Sequence, residues 1–389
     1  MFRKKRAYFD HAAGVAGNPS SPHEEGRAAK EKLESARITI ARLVEVQSDD
    51  VIFTGGATES NALAILGYVR AIRSLAREDA PGRNNLHVLY LPSAHASVVQ
   101  NVKILEAEGV AIGALPIKDY RVDTEALAKM IRPETLLVSM DAVCGETGVV
   151  WNTREVADVL RKAPAPGGPS RSSRGGRALL HVDVSQAPWT EKITRDHFGA
   201  DLLTLDASKV GPVRGIGALV AHRTIPLVPL YGGGGQERGV RSGTPAPELA
   251  EDFARALSLA VLGRESFLAA AKHDRARLIE LITTTVPKVC VQEGRAQAPN
   301  ILNISLLGRD TDYLVMLLDE AGFAVSTKSA CETDSEEGSR AVFALTGDQE
   351  RARSTLRISW GPAARVRDLT RLARALAQAV AFVDSSGGR

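Results

Sequence analysis

Short apolar runs alternate with amphipathic stretches along the first half of the chain. Apolar residues recur with a helical period from Glu24 to Val46. Beyond it, apolar runs bounded by turn formers are each followed by a loop or a helical pattern; they read VIFT, HVLYL, TLLVSM, ALLHV, LLTL and IGALVA. Strands that alternate with helices from about residue 50 to 220 predict an α/β domain with a largely parallel sheet.

The pattern changes at about residue 250. An Ala/Leu/Arg-rich helix is predicted from Pro247 to Leu259, and three short strands are predicted among helices in NILNISLLG, FAVSTKSAC and TLRISWG. At 389 residues the chain exceeds what one core usually supports. We therefore expect a large α/β domain over residues 16–249 and a smaller α+β domain formed by residues 1–15 and 250–389.

Composition narrows the class of partner. A net charge of +3 and 24% charged residues give no reason to expect nucleic acid or a membrane, so the predicted partner is a small molecule. Three cysteines form neither a disulfide framework nor a zinc-like spacing. The basic start is followed by no apolar signal region, and no 18 apolar residues run together. These features favour the cytoplasm.

A Pro/Gly/Ser-rich segment, residues 161–177, interrupts the large domain, and all of its charges are positive. This composition predicts a flexible surface insertion. Binding of nucleic acid or of an acidic partner is the less favoured interpretation.

Polar residues follow the predicted strands. In open α/β sheets ligands bind beyond the carboxyl ends of the strands. That rule collects Gly55, Gly56, Ala57, Thr58, His95, Asp183, Gln186 and Lys209. The TGGATES turn lies between a strand and a helix and favours an anion, although a tight turn with a helix cap explains it equally well.

Lys209 is open to two interpretations. Its long side chain could carry the ammonium group to water, or it could do chemistry at the end of a buried strand. A lysine, an aspartate and a phosphate turn on one rim are together what pyridoxal 5′-phosphate requires. No metal site is predicted.

A family resemblance covers nearly the whole chain. It is carried by YFDHAA, GNPSSPH, FTGGATESNALAI, AHASV, GETGVV, HVDVSQ, SKVGPVRGIGAL, GGGGQERGVRSGT, APNILNIS, SAC and LRISWG. In this order they resemble the cysteine desulfurases of the NifS/IscS type, within the class-V, fold-type I pyridoxal phosphate enzymes. The resemblance implies a mostly parallel seven-stranded sheet in the large domain and a persulfide cysteine loop in the small one.

The resemblance also implies roles around the cofactor ring. Lys209 would hold the cofactor as a Schiff base and later move protons, and Asp183 would pair with the pyridinium nitrogen. His95 would stack on the ring and assist proton transfer, and Gln186 would hydrogen-bond the phenolic oxygen. A helix or turn cap remains the alternative for Asp183, and a buried core histidine remains the alternative for His95.

Other roles concern the phosphate and the substrate. Ala57, Thr58 and Ser208 would hold the phosphate together with Thr244 of a neighbouring subunit, which implies a homodimer. Arg357 would bind the substrate carboxylate, with Asn18 assisting. A surface salt bridge is the alternative for Arg357.

Cys331 follows a predicted strand in a polar segment. In the resembling enzymes the cysteine of SAC takes sulfur from cofactor-bound cysteine as a persulfide and passes it to an acceptor. A thiolate is needed, and Lys328 would favour it while nearby acidic residues oppose it. An inert cysteine is the alternative here, and Cys144 and Cys290 are interpreted as small hydrophobic residues.

The chain departs from the family pattern in three places. Relatives read Ser-Gly-His-Lys where this chain has Asp206-Ala207-Ser208-Lys209, so an ionised carboxylate stands where a phosphate donor is expected. Gly145 replaces an asparagine before Glu146, and the segment between Asp10 and Asn18 is shortened. These changes bear on cofactor affinity more than on the fold.

The resulting hypothesis is a cytoplasmic, homodimeric, pyridoxal phosphate-dependent cysteine desulfurase. It would convert L-cysteine to L-alanine and deliver sulfur to an acceptor protein for iron–sulfur clusters or thiolated tRNA. Two alternatives stay open: a related lyase or aminotransferase, for example one acting on selenocysteine, and a non-catalytic relative that serves as a binding or scaffold protein.

Overall fold

The computed structural model describes residues 7–15, 17–75, 85–163, 177–327 and 338–386. The strands are β1 (Val51–Thr54), β2 (His87–Tyr90), β3 (Ala111–Ala114), β4 (Ile117–Lys118), β5 (Arg121–Val122), β6 (Thr135–Asp141), β7 (Leu179–Asp183), β8 (Leu202–Asp206), β9 (Gly217–Ala221), β10 (Val289–Gln292), β11 (Ile301–Leu306) and β12 (Thr355–Ser359). The helices are α1 (Glu24–Leu43), α2 (Ala57–Ala62), α3 (Tyr68–Leu75), α4 (Ala96–Ala107), α5 (Thr124–Met130), α6 (Thr153–Lys162), α7 (Arg195–Phe198), α8 (Pro247–Thr285), α9 (Thr311–Glu320), α10 (Arg340–Thr346), α11 (Gln349–Arg353) and α12 (Val366–Ser386).

A seven-stranded sheet forms the centre of the molecule, with the order β1-β9-β8-β7-β6-β2-β3. Strand β9 runs antiparallel to both of its neighbours, whereas β8, β7, β6, β2 and β3 pair in parallel. Every residue of β6, β7 and β9 is buried, because helices cover both faces of the sheet. The mostly parallel sheet predicted from the sequence is confirmed.

The carboxyl ends of the parallel strands meet at one edge of this sheet. In register, Asp141 at the end of β6 lies opposite Asp183 at the end of β7, and Asp206 ends β8. Helix α2 begins two residues after β1 and continues through a π-helical stretch, Leu63–Gly67, into α3. This arrangement places three carboxylates and a helix start along the same rim.

A second apolar core surrounds the antiparallel sheet β10-β11-β12, against which α8, α9 and α12 pack. Helix α8 contributes buried residues to both cores, with Phe253 and Leu257 in the first and Leu278 and Ile282 in the second. The assignment of residues 16–249, 1–15 and 250–389 to two domains stays a prediction.

Three sequence predictions need correction. Helix α8 runs from Pro247 to Thr285, well past Leu259, because its apolar positions continue onto the second core.

The basic insertion is shorter than residues 161–177: Arg161 and Lys162 end α6, and both guanidinium NH groups of Arg177 bind Asp201 at 2.8 Å. Helix α6 ends at this point because Pro164 disfavours a helical conformation for Ala163, whose ψ is 145°.

The predicted strand in FAVSTKSAC is wrong for the part that the structure describes. Within residues 323–327 it is reduced to a single bridge, in which Ser326 pairs with Arg357 of β12. Residues 328–337 lie outside the described residues, and so do residues 164–176 of the insertion. Among the helices described, none combines the length and the apolar character needed to span a bilayer.

Candidate active site

Two adjoining cavities lie at the carboxyl edge of the central sheet, with volumes of about 240 and about 160 Å³. Both are lined by His95, Asp141, Gly145, Gln186 and Lys209. The larger cavity adds Ala57, Thr58, Val143, Asp183, Ser185 and Asp206, and the smaller adds Arg340 and Arg357. Most of the residues that the strand-end rule selected therefore lie together at these two cavities.

Asp183 is a buried carboxylate that two donors hold in position. The side-chain amide of Asn61 donates to Oδ2 at 2.8 Å, and the backbone N–H of Ser185 donates to Oδ1 at 2.9 Å. Both donors fix the orientation of the carboxylate. Because Asp183 also lines the larger cavity, it presents a fixed negative charge to whatever binds there. Sequence reasoning did not identify Asn61, which is completely buried in the helix that follows the TGGATES turn.

A hydrogen-bond chain joins Asp183 to His95. Asn61 also donates to the Ser97 hydroxyl at 2.8 Å, and that hydroxyl lies 2.8 Å from His95 Nδ1. As N-cap of α4, His95 Nδ1 also accepts from the backbone N–H of Ser97 at 3.2 Å. A nitrogen that accepts from two donors carries no proton in the neutral ring, so the proton of neutral His95 lies on Nε2. His95 is exposed, which excludes the buried core histidine considered as its alternative.

Lys209 ends a short 3₁₀ turn, Ala207–Lys209, that begins directly after β8. The turn is capped by Asp206, whose Oδ1 accepts from the Ser208 backbone N–H at 2.7 Å. Lys209 is exposed and lines both cavities, so its ammonium group reaches solvent and the site at once. The described residues therefore do not bury Lys209.

The TGGATES turn lies against the backbone of β9. Gly56 has φ 137°, a conformation that favours glycine, and a Cβ at Gly217 would come within 2.7 Å of the Gly56 carbonyl carbon. The two glycines let the turn approach the sheet closely and direct the Ala57 N–H toward the rim. That N–H is not free: it donates to Oδ2 of Asp206 at 2.9 Å.

A second carboxylate satisfies the same turn. Oε2 of Glu59 accepts from the Gly55 N–H, and Oε1 accepts from the Tyr231 hydroxyl at 2.8 Å and from Arg241 Nε at 3.1 Å. We refer to residues 55–57, Glu59 and Asp206 as the Asp206 end of the cavity. Asp183, Asn61, Ser185, Ser97 and His95 form the Asp183 end.

Asp141 is a site residue that sequence reasoning missed. It is 5% exposed, lines both cavities, and its Oδ1 has no hydrogen-bond partner among the described residues. Burial, followed by the neighbouring charge of Asp183, raises the pKa of Asp141 to about 8, against a smaller opposing effect of Arg340. The signal was present, because Asp141 follows the apolar run TLLVSM as Asp183 follows ALLHV.

Two arginines from the C-terminal part of the chain complete the smaller cavity. Nη1 of Arg357 donates to the Gly145 carbonyl at 3.0 Å, while its buried Nε has no partner among the described residues. Arg340, also missed from the sequence, donates to the carbonyls of Pro92 and Ala94, the second at 2.7 Å. Arg357 forms no salt bridge among the described residues, so the alternative of a surface salt bridge is not supported.

Some predicted site residues lie elsewhere. Asn18 bonds within its own loop, donating to the Ala13 carbonyl at 3.1 Å, and lines neither cavity. Ser208 and Thr244 are exposed and line neither cavity. Cys331 lies outside the described residues, as does Lys328, so their predicted roles stay predictions.

Cys144 fits its interpretation as a small hydrophobic residue. It is 1% exposed, and burial raises the pKa of its thiol to about 12, so the thiol stays protonated. It nevertheless borders the smaller cavity. Cys290 is half-buried on β10.

Comparisons with known proteins support one family. Residues 3–372 match the model described as Aminotransferase class-V. A curated relative from Archaeoglobus fulgidus, "Cysteine desulfurase IscS 1", is 30% identical over 361 residues, which cover 92% of this chain and 88% of the relative.

Solved structures have the same fold. A structure titled "NIFS-LIKE PROTEIN" superimposes with a TM-score of 0.82 at 23% identity, covering 94% of this chain and 92% of that chain. "SspA in complex with cysteine" gives a TM-score of 0.69 at 26% identity, covering 89% and 91%.

Fold and cavity together define an α/β protein of the aminotransferase type, in which a lysine and a buried aspartate meet at the carboxyl edge of the sheet. The chain belongs to the class-V aminotransferase family, whose members are generally pyridoxal phosphate enzymes, and its curated relatives are cysteine desulfurases. The predicted family and fold class are confirmed.

Proposed function

We propose that this protein is a pyridoxal phosphate-dependent cysteine desulfurase, which converts L-cysteine to L-alanine and transfers the sulfur to an enzyme cysteine. The observation that carries the proposal is the meeting of Lys209 and Asp183 in one cavity of about 240 Å³. The predicted function and enzyme class agree with the curated relatives. When bound, the cofactor would supply an electron sink for reactions at the amino acid's α-carbon.

The Asp183 end fits a pyridine ring. A buried carboxylate that two donors hold in place would pair with a protonated ring nitrogen. Gln186 lines both cavities and supplies an amide donor for an oxygen on the ring. Lys209, which follows the neighbouring strand β8 at the same edge of the sheet, is the amine available for covalent attachment of an aldehyde.

His95 would move protons beside the bound substrate. Its Nδ1 is engaged by Ser97, so Nε2 is the atom left to donate or accept a proton in the cavity. Ser97 and Asn61 hold the ring of His95 and the carboxylate of Asp183 in a fixed mutual arrangement. Both therefore act as positioning residues.

Arg357 and Arg340 would receive the substrate carboxylate. Each keeps a guanidinium group at the smaller cavity, and a planar cation with several N–H donors suits a carboxylate. Asn18, predicted to assist them, is held in its own loop by 3.1 and 2.9 Å hydrogen bonds, and its role stays a prediction.

Cys331 is the proposed sulfur acceptor within the enzyme. The described residues on both sides of its segment lie at the site: Ser326 pairs with Arg357, and Arg340 lines the smaller cavity. Four residues lie between Ser326 and Cys331 in the sequence, so the cysteine closely follows the residue that pairs with Arg357.

We also propose a cytoplasmic homodimer with L-cysteine as substrate and a sulfur-acceptor protein as partner, for iron–sulfur cluster or thiolated tRNA biosynthesis. Support for cysteine comes from the relative that was solved in complex with it. Thr244 is exposed in a glycine-rich segment, as a residue that completes a neighbouring subunit's phosphate site must be.

The proposal is tested by incubating the purified protein with pyridoxal phosphate, L-cysteine and a thiol reductant. We expect equal amounts of alanine and sulfide, because the reductant supplies the electrons and protons that release the persulfide sulfur. Cys331→Ser should abolish both products, whereas Cys290→Ser, at a half-buried cysteine on β10, should retain them. Full activity in Cys331→Ser would show that the sulfur takes another route.

The Asp206 end favours a second candidate, a non-catalytic relative that binds another protein. The carboxylate of Asp206 holds the Ala57 N–H, where the family resemblance places a phosphate. This candidate gains support if excess pyridoxal phosphate produces no visible absorption band in the folded protein, and it is excluded if Lys209→Ala removes such a band.

A further inference from the structure

Asp206 bridges two backbone turns at the rim of the larger cavity. One carboxylate oxygen accepts from the Ala57 N–H at 2.9 Å and the other from the Ser208 N–H at 2.7 Å. Both turns border the position of Lys209, and Asp206 itself lines the cavity. An anion that binds at this end would therefore find the Ala57 N–H already engaged by the carboxylate of Asp206.

An amide N–H has one hydrogen, so Ala57 cannot fully serve Asp206 and a phosphate oxygen at the same time. Displacing Asp206 leaves its oxygens without the two N–H donors that stabilise them. Keeping Asp206 in place sets a negative charge against a phosphate that carries about −1.5 to −2 near neutral pH. Either way, the phosphate group gains less here than it would beside a neutral donor.

Glu59 does not act in the same way. Its carboxylate is paired with Arg241 and accepts from the Tyr231 hydroxyl, so a cation compensates its charge. Asp206 has no ion pair among the described residues, and its charge is held by N–H groups alone. Asp206 is therefore the uncompensated negative charge at this end of the cavity.

The Asp183 end is built separately. The described contacts of Asp183 and His95 run through Asn61, Ser97 and Ser185, and none of them includes Asp206. The groups that would recognise the ring are thus independent of the group that opposes the phosphate.

We propose that Asp206 is an internal occupant of the phosphate turn, which makes this protein bind pyridoxal 5′-phosphate scarcely more tightly than unphosphorylated pyridoxal. Asp206 then determines the cofactor form that the site prefers. The inference rests on the proposed function, because it requires that an aldehyde of the pyridoxal class binds at Lys209.

The test is a titration of the cofactor-free protein with pyridoxal phosphate and, separately, with pyridoxal, followed by visible absorbance. In the wild-type protein we expect the two dissociation constants to lie within about tenfold of each other. Asp206→Ser and Asp206→Asn should tighten pyridoxal phosphate binding by about tenfold or more and leave pyridoxal unchanged. Comparison between variants cancels the different intrinsic reactivity of the two aldehydes.

Matched variants test whether a change in the ratio of the two dissociation constants is due to the charge of Asp206. Asp206→Glu retains the charge and should retain the wild-type ratio, and Glu59→Gln should leave the ratio unchanged. Lys209→Ala should lose the band with both compounds. Asp206→Asn preserves the side-chain size, so it serves if Asp206→Ser fails to fold.

Two results would overturn the inference, and they differ in what they say about function. If wild-type protein binds pyridoxal phosphate more than about a hundredfold tighter than pyridoxal, and neither neutral variant changes that ratio, Asp206 does not oppose the phosphate and the proposed function stands. If neither aldehyde binds to wild type or to either neutral variant, although all are folded by circular dichroism, the proposed function falls and the inference falls with it.

Discussion

The two ends of the cavity use carboxylates in opposite ways. At the Asp183 end, hydrogen-bond donors hold a carboxylate in place, whereas at the Asp206 end, carboxylates accept from backbone N–H groups. At the Asp183 end, Asn61 and Ser185 direct N–H groups at a buried carboxylate that faces the ligand space. At the Asp206 end, Asp206 accepts from the Ala57 N–H at the border of the larger cavity, and Glu59 accepts from the neighbouring Gly55 N–H. One strand edge thus combines a carboxylate that faces the ligand space with backbone N–H groups that are satisfied from within the chain.

The largest expected effect is at the Asp183 end. Asp183→Asn removes the charge that would hold a protonated ring nitrogen, so we expect alanine formation from cysteine to fall at least about a hundredfold. The same change at the other end, Asp206→Asn, should not lower turnover at saturating cofactor. Initial rates for both variants check the comparison, and turnover within about fivefold of wild type in Asp183→Asn would contradict it.

A pH effect on stability is expected at Asp141, between the two ends. Its folded pKa of about 8 exceeds the ordinary value of 3.8, so the folded protein keeps a proton that the unfolded chain releases above pH 4. The contribution of Asp141 to stability is therefore greatest at low pH and is lost as the pH rises toward 8.

Asp141→Asn removes this dependence. Relative to wild type, the variant should gain stability as the pH is raised from 5 to 9, by roughly 4 kcal/mol in total. Denaturant midpoints of both proteins across this range test the sign, because titrating groups that do not interact with Asp141 contribute equally to both proteins. Parallel pH profiles for the two proteins would show that Asp141 is ionised in the fold at neutral pH.

The smallest expected effect concerns Glu59. Burial raises the pKa of its carboxyl, but hydrogen bonds from Gly55, Tyr231 and Arg241 outweigh burial and lower it overall. Glu59→Gln should therefore cost at most about 1 kcal/mol of stability at pH 7, and the cost should disappear at an acid pH below the folded pKa, which lies under 4.5. Unfolding midpoints at the two pH values measure it, and a loss that persists at low pH would indicate a packing effect instead.

The sequence predicted the central sheet well, since buried parallel strands are continuous apolar runs with turn formers at both ends. The strand-end rule then grouped Lys209, Asp183, Gln186 and His95 before any contact was known. The same rule also selects Asp141, which directly follows the apolar run of β6. Asp141 was missed because none of the motifs that carry the family resemblance includes it.

Other features had no local signal. Arg340 reaches the carbonyls of Pro92 and Ala94 from 248 and 246 residues away in the chain, and no spacing rule predicts such a contact. The 2.9 Å hydrogen bond from Ala57 to Asp206 spans 149 residues. The sequence identified Asp206 as unusual, but only the fold places its carboxylate on the Ala57 N–H.

The long helix α8 has a consequence for how the molecule unfolds. Its first half is buried in the core around the central sheet and its second half in the core around β10-β11-β12. Trp189, which packs against both cores, meets Phe267 of this helix edge-on with ring centroids 5.6 Å apart. Unfolding of either core would remove the packing of one half of this continuous helix. We therefore expect the two cores to unfold in a single cooperative transition.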